Sequence, residues 1–155
     1  MDYINLQLRT APRLTVDGLP LIKPPYGQVV ALDLNEGEKL WDAVHGETPD
    51  SIRNHPALAG LDIPRTGQAG RVGVLVTKTL VIAGDGGSYT NADGEQEALL
   101  RAYDKLTGEQ LGSLAMPAQQ TGSPMTYAID GVQYLAVAIA GSDVPGRLRV
   151  YSYEP

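Results

Sequence analysis

Residues 27–41, GQVVALDLNEGEKLW, return in altered form further along the same chain. The first half alternates apolar and polar positions and is β-branched, the middle is a turn containing Gly37, and the second half is short and closes on the only Trp. That is the pattern of two strands joined by a tight connection. Residues 99–112, LLRAYDKLTGEQLG, repeat it at an offset of 71, laying Ala102 on Ala31, Asp104 on Asp33, Gly108 on Gly37, Glu109 on Glu38 and Leu111 on Leu40. A fainter third copy, LRVYSY at 148–153, puts Val150 on Ala102 and Tyr151 on Tyr103. A unit that recurs at fixed spacing buries its apolar surface against its neighbours, so repetition selects a stacked architecture before local propensity is weighed.

Between the first two copies the periodicity stops. Residues 42–71 contain Pro49, Pro56 and Pro64 and have room only for single helical turns, around 50–54 and 56–58. A connection this long inside a compact domain is usually functional, disordered or a sign of misassigned elements, and the repeat arithmetic favours an insertion. Removing its roughly 30 residues from the offset leaves about 41, within the approximate 40–45 residues of a four-stranded propeller blade. The step from Ala102 to Val150 is 48 residues, close to that length without correction.

In chain order, residues 3–8 alternate as a strand would, and 13–16 with the Asp17-Gly18 reversal give a second short strand. Residues 19–26, LPLIKPPY, carry three prolines that remove ladder donors, so they read as a rigid extended connector. A strand follows at 28–34, a turn at 35–38 and a return strand at 39–44. After the insertion, 72–76 and 79–83 form a hairpin about Thr77-Lys78, and 84–95 is a polar, Gly-rich loop. Residues 98–104 fit two patterns, because Ala98, Leu99, Ala102, Tyr103 and Leu106 also have the spacing of an amphipathic helix. Their alignment with 29–33 selects the strand. Residues 109–115 return, 124–129 and 132–140 form a hairpin about Asp130-Gly131, and 147–153 are the last strand.

Composition bounds the function. A chain of 155 residues, 43% hydrophobic, can bury one core and reads as a single domain. No apolar run approaches the roughly 20 residues of a membrane span, and the start MDYINLQLRT lacks the basic and apolar segments of a signal peptide. A formal charge of −6, with Lys and Arg scattered singly, excludes a nucleic-acid face. With no Cys there are no disulfides or thiolate ligands. Eighteen Gly, eleven Pro and no Phe point to many turns and short strands, with a core of Tyr, Val, Leu and Ile.

Candidate chemical groups each have a plainer structural reading. His45 and His55, with Asp50 and Asp62 nearby, match no zinc spacing and read as loop residues. Asp85, Asn91, Asp93 and Glu95 suggest a calcium loop, but Gly87 and Tyr89 stand where it needs oxygen ligands, so a solvated hairpin loop is the expectation. Gly84-Asp85-Gly86-Gly87 follows a strand as a phosphate loop does, without the helix or the Lys that chemistry requires. Asp33 and Asp104 occupy equivalent repeat positions and read as turn acceptors for backbone N–H groups, not as an acid–base pair. Ser123 has no His within a hydrolase motif.

The motif at Ala31, Asp33, Gly37 and Trp41, then AYDKLTGEQL at 102–111 and SPMTYAIDGVQYLAVAIAG at 123–141, resembles the repeat of pyrroloquinoline-quinone (PQQ)-dependent dehydrogenases. DGLPLIKPPYG at 17–27 and IRNHPALAGLDIPRTGQAGR at 52–71 are similar to the membrane-type glucose and quinate dehydrogenase branch. The resemblance implies an all-β fold: a partial propeller of about two to three four-stranded blades out of eight. It divides into a blade portion at 13–44, the inserted loop at 45–71, a full blade at 72–115 and an incomplete last blade at 123–153. It also implies a C-terminal fragment of a periplasmic sugar or polyol oxidoreductase, with PQQ and calcium held in the intact relative, neither bound tightly by this chain, and no catalytic competence alone. The alternative is a non-catalytic binding or self-assembling module. Partners would be the missing blades, or other copies through open edge strands.

In that family Ala, Gly and Trp of successive blades form a docking girdle, which carries over to Ala31, Gly37, Trp41, Ala102 and Gly108. Burying such an indole is worth on the order of 3 kcal/mol. Gly112 stands where the second Trp is expected, which implies a weaker contact there. Relatives also carry a His or Trp ring near the quinone after the VQYLAVAIAG-type strand, whereas Gly141-Ser142-Asp143 here offers neither.

Overall fold

The computed structural model describes residues 14–152, and the strand expected at 3–8 lies outside them. The described residues form an all-β molecule, a partial β-propeller: antiparallel sheets stacked face to face, none of them closed on itself. A two-residue hairpin, β1 (Thr15–Val16) and β2 (Leu19–Pro20), turns on Asp17-Gly18, both at positive φ. So the proline-rich connector begins by pairing with the segment before it. β3 (Gln28–Asp33) and β4 (Glu38–Val44) make the first sheet of the stack.

The insertion holds one α-helical turn, α1 (Asp50–Arg53), and a 3₁₀ turn at Pro56–Leu58. β5 (Leu75–Val76), β6 (Leu80–Gly84), β8 (Gln96–Asp104) and β9 (Gln110–Met116) make the central four-stranded sheet, with β7 (Tyr89–Thr90) pairing on the start of β8. β5 is shorter than the sequence pattern suggested, because pairing begins only at Leu75. The 84–95 loop is itself folded into a small hairpin through β7. β10 (Met125–Ile129), β11 (Val132–Ile139) and β12 (Arg147–Ser152) make the last sheet, β10 and β11 joined at Asp130-Gly131.

Residues 98–104 are strand, and their periodicity misled because both faces are covered. Ala98 and Leu100 turn to the last sheet and join Met116, Ala118, Val137 and Ile139 in an aliphatic core. Tyr103, three residues beyond Leu100, turns the other way and packs with Val81 and Trp41, against Val29, Ala31 and Ala43 of the first sheet. The sandwich is therefore β3–β4, then β5–β9, then β10–β12.

The repeat is legible in the backbone. Asp33 Oδ1 accepts from the Asn35 and Glu36 N–H groups, and Asp104 Oδ1 from those of Leu106 and Thr107. The Gly37 N–H donates to the Asp33 carbonyl and that of Gly108 to the Asp104 carbonyl, both glycines with positive φ. Each copy carries a β-bulge at the same place, between Ala31 and Leu32 and between Ala102 and Tyr103. The two glycines then diverge: a Cβ at Gly37 would meet nothing within 4 Å, but one at Gly108 would lie 2.5 Å from Cε3 of Trp41.

Gly108→Ala is therefore expected to lose more stability in urea unfolding than Gly37→Ala. Both place a side chain in the left-handed region at about 1–2 kcal/mol, and Gly108→Ala adds an overpacking cost of about 1–3 kcal/mol and a change in Trp41 emission. Equal losses would show that the indole does not need the bare glycine.

Candidate functional site

The connections that follow β4, β6, β9 and β11 all leave the stack at one rim, because the strands are antiparallel and their registers align there. The insertion, the β6–β8 loop, residues 117–124 and residues 140–146 gather at that rim. Loop clusters on a rigid β frame are where binding groups are concentrated.

A buried polar network lies beneath it. Arg101, central in β8, is 1% exposed and Asp85, just past β6, is 0% exposed. The guanidinium grips the carboxylate twice, Nε to Oδ1 at 2.8 Å and Nη2 to Oδ2 at 3.1 Å, and also reaches Glu47 Oε1 at 2.9 Å and Gln110 Oε1 at 3.2 Å. Burial alone would lower the guanidinium pKa, but the bonds and charges of Asp85 and Glu47 outweigh it and raise the pKa above the ordinary value. Asp85 also accepts the Leu99 N–H at 3.0 Å. Arg65 donates to Gln110 Oε1 and to the Val44 carbonyl, both at 3.0 Å, while Arg65 and Arg53 approach Glu47 at 3.9 and 3.7 Å. Three arginines thus converge on one carboxylate of the insertion.

His45 opens the insertion and is buried. Its Nε2 lies 3.0 Å from the Gly84 carbonyl and its Nδ1 2.8 Å from the Tyr103 hydroxyl. A carbonyl only accepts, so Nε2 carries the proton and the neutral ring's Nδ1 accepts from the phenol. Burial holds the histidine pKa below its ordinary value and pushes the Tyr103 hydroxyl up to about 12. Further along, Asp50 accepts from Thr90 N at 3.0 Å and Thr90 Oγ1 at 2.6 Å, and Arg53 lies over the Tyr89 ring. Burial acts to raise the Asp50 pKa, but the Thr90 bonds prevail and it is lowered. Gln120, from the β9–β10 loop, accepts from the Gly84 N–H at 2.6 Å and donates to the Gly73 carbonyl at 2.8 Å.

The sequence-derived candidates fall as follows. His45 lies just past β4, at the start of the insertion loop, with its ring buried, while His55 caps the 3₁₀ turn and contacts the Asp17 carbonyl. Asn91 Oδ1 accepts the Asp93 and Glu95 N–H groups, leaving that loop a hairpin tip. Among the described residues no group of three His, Asp or Glu is arranged to hold a metal ion. Trp41 lies on Gly108 and donates from Nε1 to the Lys105 carbonyl at 3.0 Å. Ala31 faces Trp41 across β3–β4, Ala102 faces Gly112 across β8–β9, and Gly37 stands in open space. The Arg101, Asp85 and Glu47 cluster was not foreseen; its only trace in sequence was Arg101 set among the apolar residues Ala98–Leu100 and Ala102–Tyr103.

At the rim, a cavity of about 410 Å³ lies between the central and last sheets, lined by Ser88, Gln96, Gln119, Thr121, Ser142 and Asp143 among others. Pro117, Ala118, Ala140 and Val144 also line it, so hydroxyl and amide groups with one carboxylate are set on an apolar floor. They do not suit a flat tricarboxylate such as PQQ, which needs cations and an aromatic face. Arg101 is engaged by Asp85 and Glu47, and the Trp41 ring is covered by Gly108. Among the described residues, the lining of this cavity holds neither a cation nor an aromatic ring.

Residues 2–135 match the family described as PQQ, the glucose/ethanol/alcohol dehydrogenase beta-propeller domain. The chain is 29% identical to quinoprotein glucose dehydrogenase A of Acinetobacter calcoaceticus, over 80% of this chain and 14% of that protein. It is 31% identical to quinoprotein glucose dehydrogenase of Escherichia coli (84% and 15%), and 30% identical to a probable quinate dehydrogenase (quinone) of Xanthomonas campestris pv. juglandis (83% and 15%). It spans about 15% of the length of these curated relatives.

Two measurements follow. Arg101→Met, which leaves Asp85 buried without its cation, is expected to cost about 3–5 kcal/mol, and less than the sum of the single losses when combined with Asp85→Asn in urea unfolding. A native histidine pKa lowered by burial means that the unfolded chain takes up the proton first. Stability is therefore full above about pH 6.5 and declines as pH falls below it. His45→Gln should flatten the urea midpoint between pH 7 and pH 5; an unchanged slope would place the titration elsewhere.

Proposed function

The chain belongs to the PQQ-dependent glucose/ethanol/alcohol dehydrogenase β-propeller family, and from that premise we propose that it supplies a wedge of the propeller that frames the active site of a sugar or polyol dehydrogenase of the glucose or quinate type. The observation that carries this reading is Trp41 of one repeat seated on Gly108 of the next, the pair that the repeat alignment places in successive blades. On this reading 13–44 belong to one blade, 72–115 are a full blade, 123–153 belong to a third, and 45–71 are an insertion that ties the first to the second. Ala31, Gly37, Trp41, Ala102 and Gly108 are the docking residues, and the open Gly37 receives a residue of the preceding blade.

PQQ, when bound, accepts the hydride of the oxidised alcohol. The groups that would hold it, and a calcium ion with it, come from blades outside this segment; this segment contributes rigidity and part of the rim. The setting is periplasmic, in keeping with an oxidase of external sugars. The isolated chain is accordingly non-catalytic, and its open sheet surfaces favour a second role as an assembling module. Among the described residues no helix is long and apolar enough to cross a membrane.

The purified chain mixed with PQQ, calcium and glucose or quinate is expected to leave the quinone spectrum unperturbed and a redox dye unreduced. Grafted in place of the matching segment of the Escherichia coli relative, the same residues should sustain glucose-dependent dye reduction. Saturable quinone binding by the chain alone would overturn the assignment of the cofactor groups to other blades, and a folded graft that takes up no quinone would overturn the wedge assignment.

A further inference from the structure

Residues 46–67 leave and rejoin the fold at one residue, His45. Its N–H donates to the Gly27 carbonyl and its carbonyl accepts the Gln68 N–H, both at 2.9 Å, so the connector, the end of β4 and the end of the insertion cross there. The crossing packs backbone on backbone: a Cβ on Gly27 would lie 2.5 Å from the His45 carbonyl oxygen, and one on Gly67 2.8 Å from it. From the same residue the imidazole runs inward to the Gly84 carbonyl of β6 and the Tyr103 hydroxyl of β8. One side chain therefore locks the neck of the loop onto the central sheet.

The lock holds only while the ring is neutral. A proton added at Nδ1 turns that atom into a donor facing the Tyr103 oxygen, and the phenol O–H, which forms no other hydrogen bond among the described residues, loses its acceptor. Tyr103 is 0% exposed, so water does not replace that acceptor, and the new charge is buried as well. The charged groups around the ring are Asp85 beyond β6, which favours an imidazolium, and Arg101 on β8 and Arg65 on the insertion, which oppose it. Glu47 stands behind Arg101, and Tyr26 of the connector shares a small cavity with the ring. Asp85 is already gripped twice by Arg101, so its charge is neutralised before an imidazolium forms.

We propose that His45 is a proton-operated latch: its protonation releases the neck and lets residues 46–67 swing off β6 and β8 while the three sheets stay stacked. The loop and the frame can part because they are held differently. The loop buries one aliphatic side chain, Ile52, whereas two apolar clusters hold the sheets, and segments with few buried apolar contacts open at lower free energy than the whole. Release lifts Glu47 off Arg101 and admits water to the polar side of β8. Burial lowers the closed ring's pKa and the open ring regains its ordinary value of about 6.5, so opening takes up a proton. Its equilibrium constant rises by up to about tenfold per pH unit below that value.

The test is hydrogen exchange by NMR on the purified chain from about pH 7.5 to about pH 5, corrected for the intrinsic pH dependence of amide exchange and repeated in low urea. The His45 and Gln68 amides report the neck; the amides of β8 and β11, strands paired on both sides, report the frame. The neck opening constant is expected to rise about tenfold between pH 7.5 and pH 5.5 with almost no urea dependence. The frame should open far less often, and with the strong urea dependence of global unfolding. The rise should persist in His55→Gln and vanish in His45→Gln. Where His45→Gln does not fold, NMR titration of the His45 ring in the wild type decides: protonation with the neck amides still protected overturns the latch, and protonation in step with their exposure supports it. Neck and frame amides with one opening constant and one urea dependence also overturn it, because the proton then acts only through global unfolding. So does a rise that survives in folded His45→Gln. A chain with unprotected frame amides lacks the stacked fold, and the latch falls with it.

Discussion

The structure depends on β8 being covered on both sides by surfaces of different chemistry. An antiparallel sheet commonly leaves one face to water, whereas here both faces of the central sheet are covered. Toward the last sheet Ala98 and Leu100 bury aliphatic surface against Val137 and Ile139, a contact without direction. Toward the first sheet and the insertion, Tyr103 and Arg101 bury groups that must be matched atom by atom. The aliphatic side holds the sheets together, and the polar side fixes how the insertion sits. Moving Arg101 away from Asp85 would leave a carboxylate without exposure or a cation, which costs far more than sliding one leucine past another.

The insertion follows from that division. Across residues 42–71 only one aliphatic side chain, Ile52, is buried. The segment is instead held by Glu47 on Arg101, Asp50 on Thr90, Arg65 on the Val44 carbonyl and the buried imidazole of His45. A strap made this way is weakly held by area and strongly held by geometry, since every bond has a fixed donor and acceptor. It bridges the first and central sheets with little apolar surface of its own, and so leaves the rim above it polar.

The parts legible in the sequence were those that local chemistry dictates. Asp33 and Asp104 mark turns because a short carboxylate reaches the N–H groups two and three residues on. Asp130-Gly131 marks a hairpin because both residues take positive φ. That Trp41 packs against a neighbouring unit was legible only through the family resemblance, whose docking girdle takes in Trp41 and Gly108 without pairing them. Residues 98–104 fitted a helix nearly as well as a strand because two-sided burial erases strict alternation. The Arg101 network was not legible: Glu47 and Arg101 stand 54 positions apart, and no spacing rule connects partners that meet only after two sheets have stacked.

That last difficulty bears on function. In a stacked β architecture the frame is written in short repeats, each readable alone, while the site is assembled from loops that belong to different repeats. A segment spanning about 15% of its relatives' length can therefore carry the frame's grammar intact and hold few of the site's groups. Among the described residues, Arg101 is turned inward to Asp85 and Glu47, and the Trp41 indole lies on Gly108 of the next repeat. A guanidinium and an indole committed to holding sheets together are not available to bind a ligand, so the interactions that fix these sheets take Arg101 and Trp41 out of ligand binding.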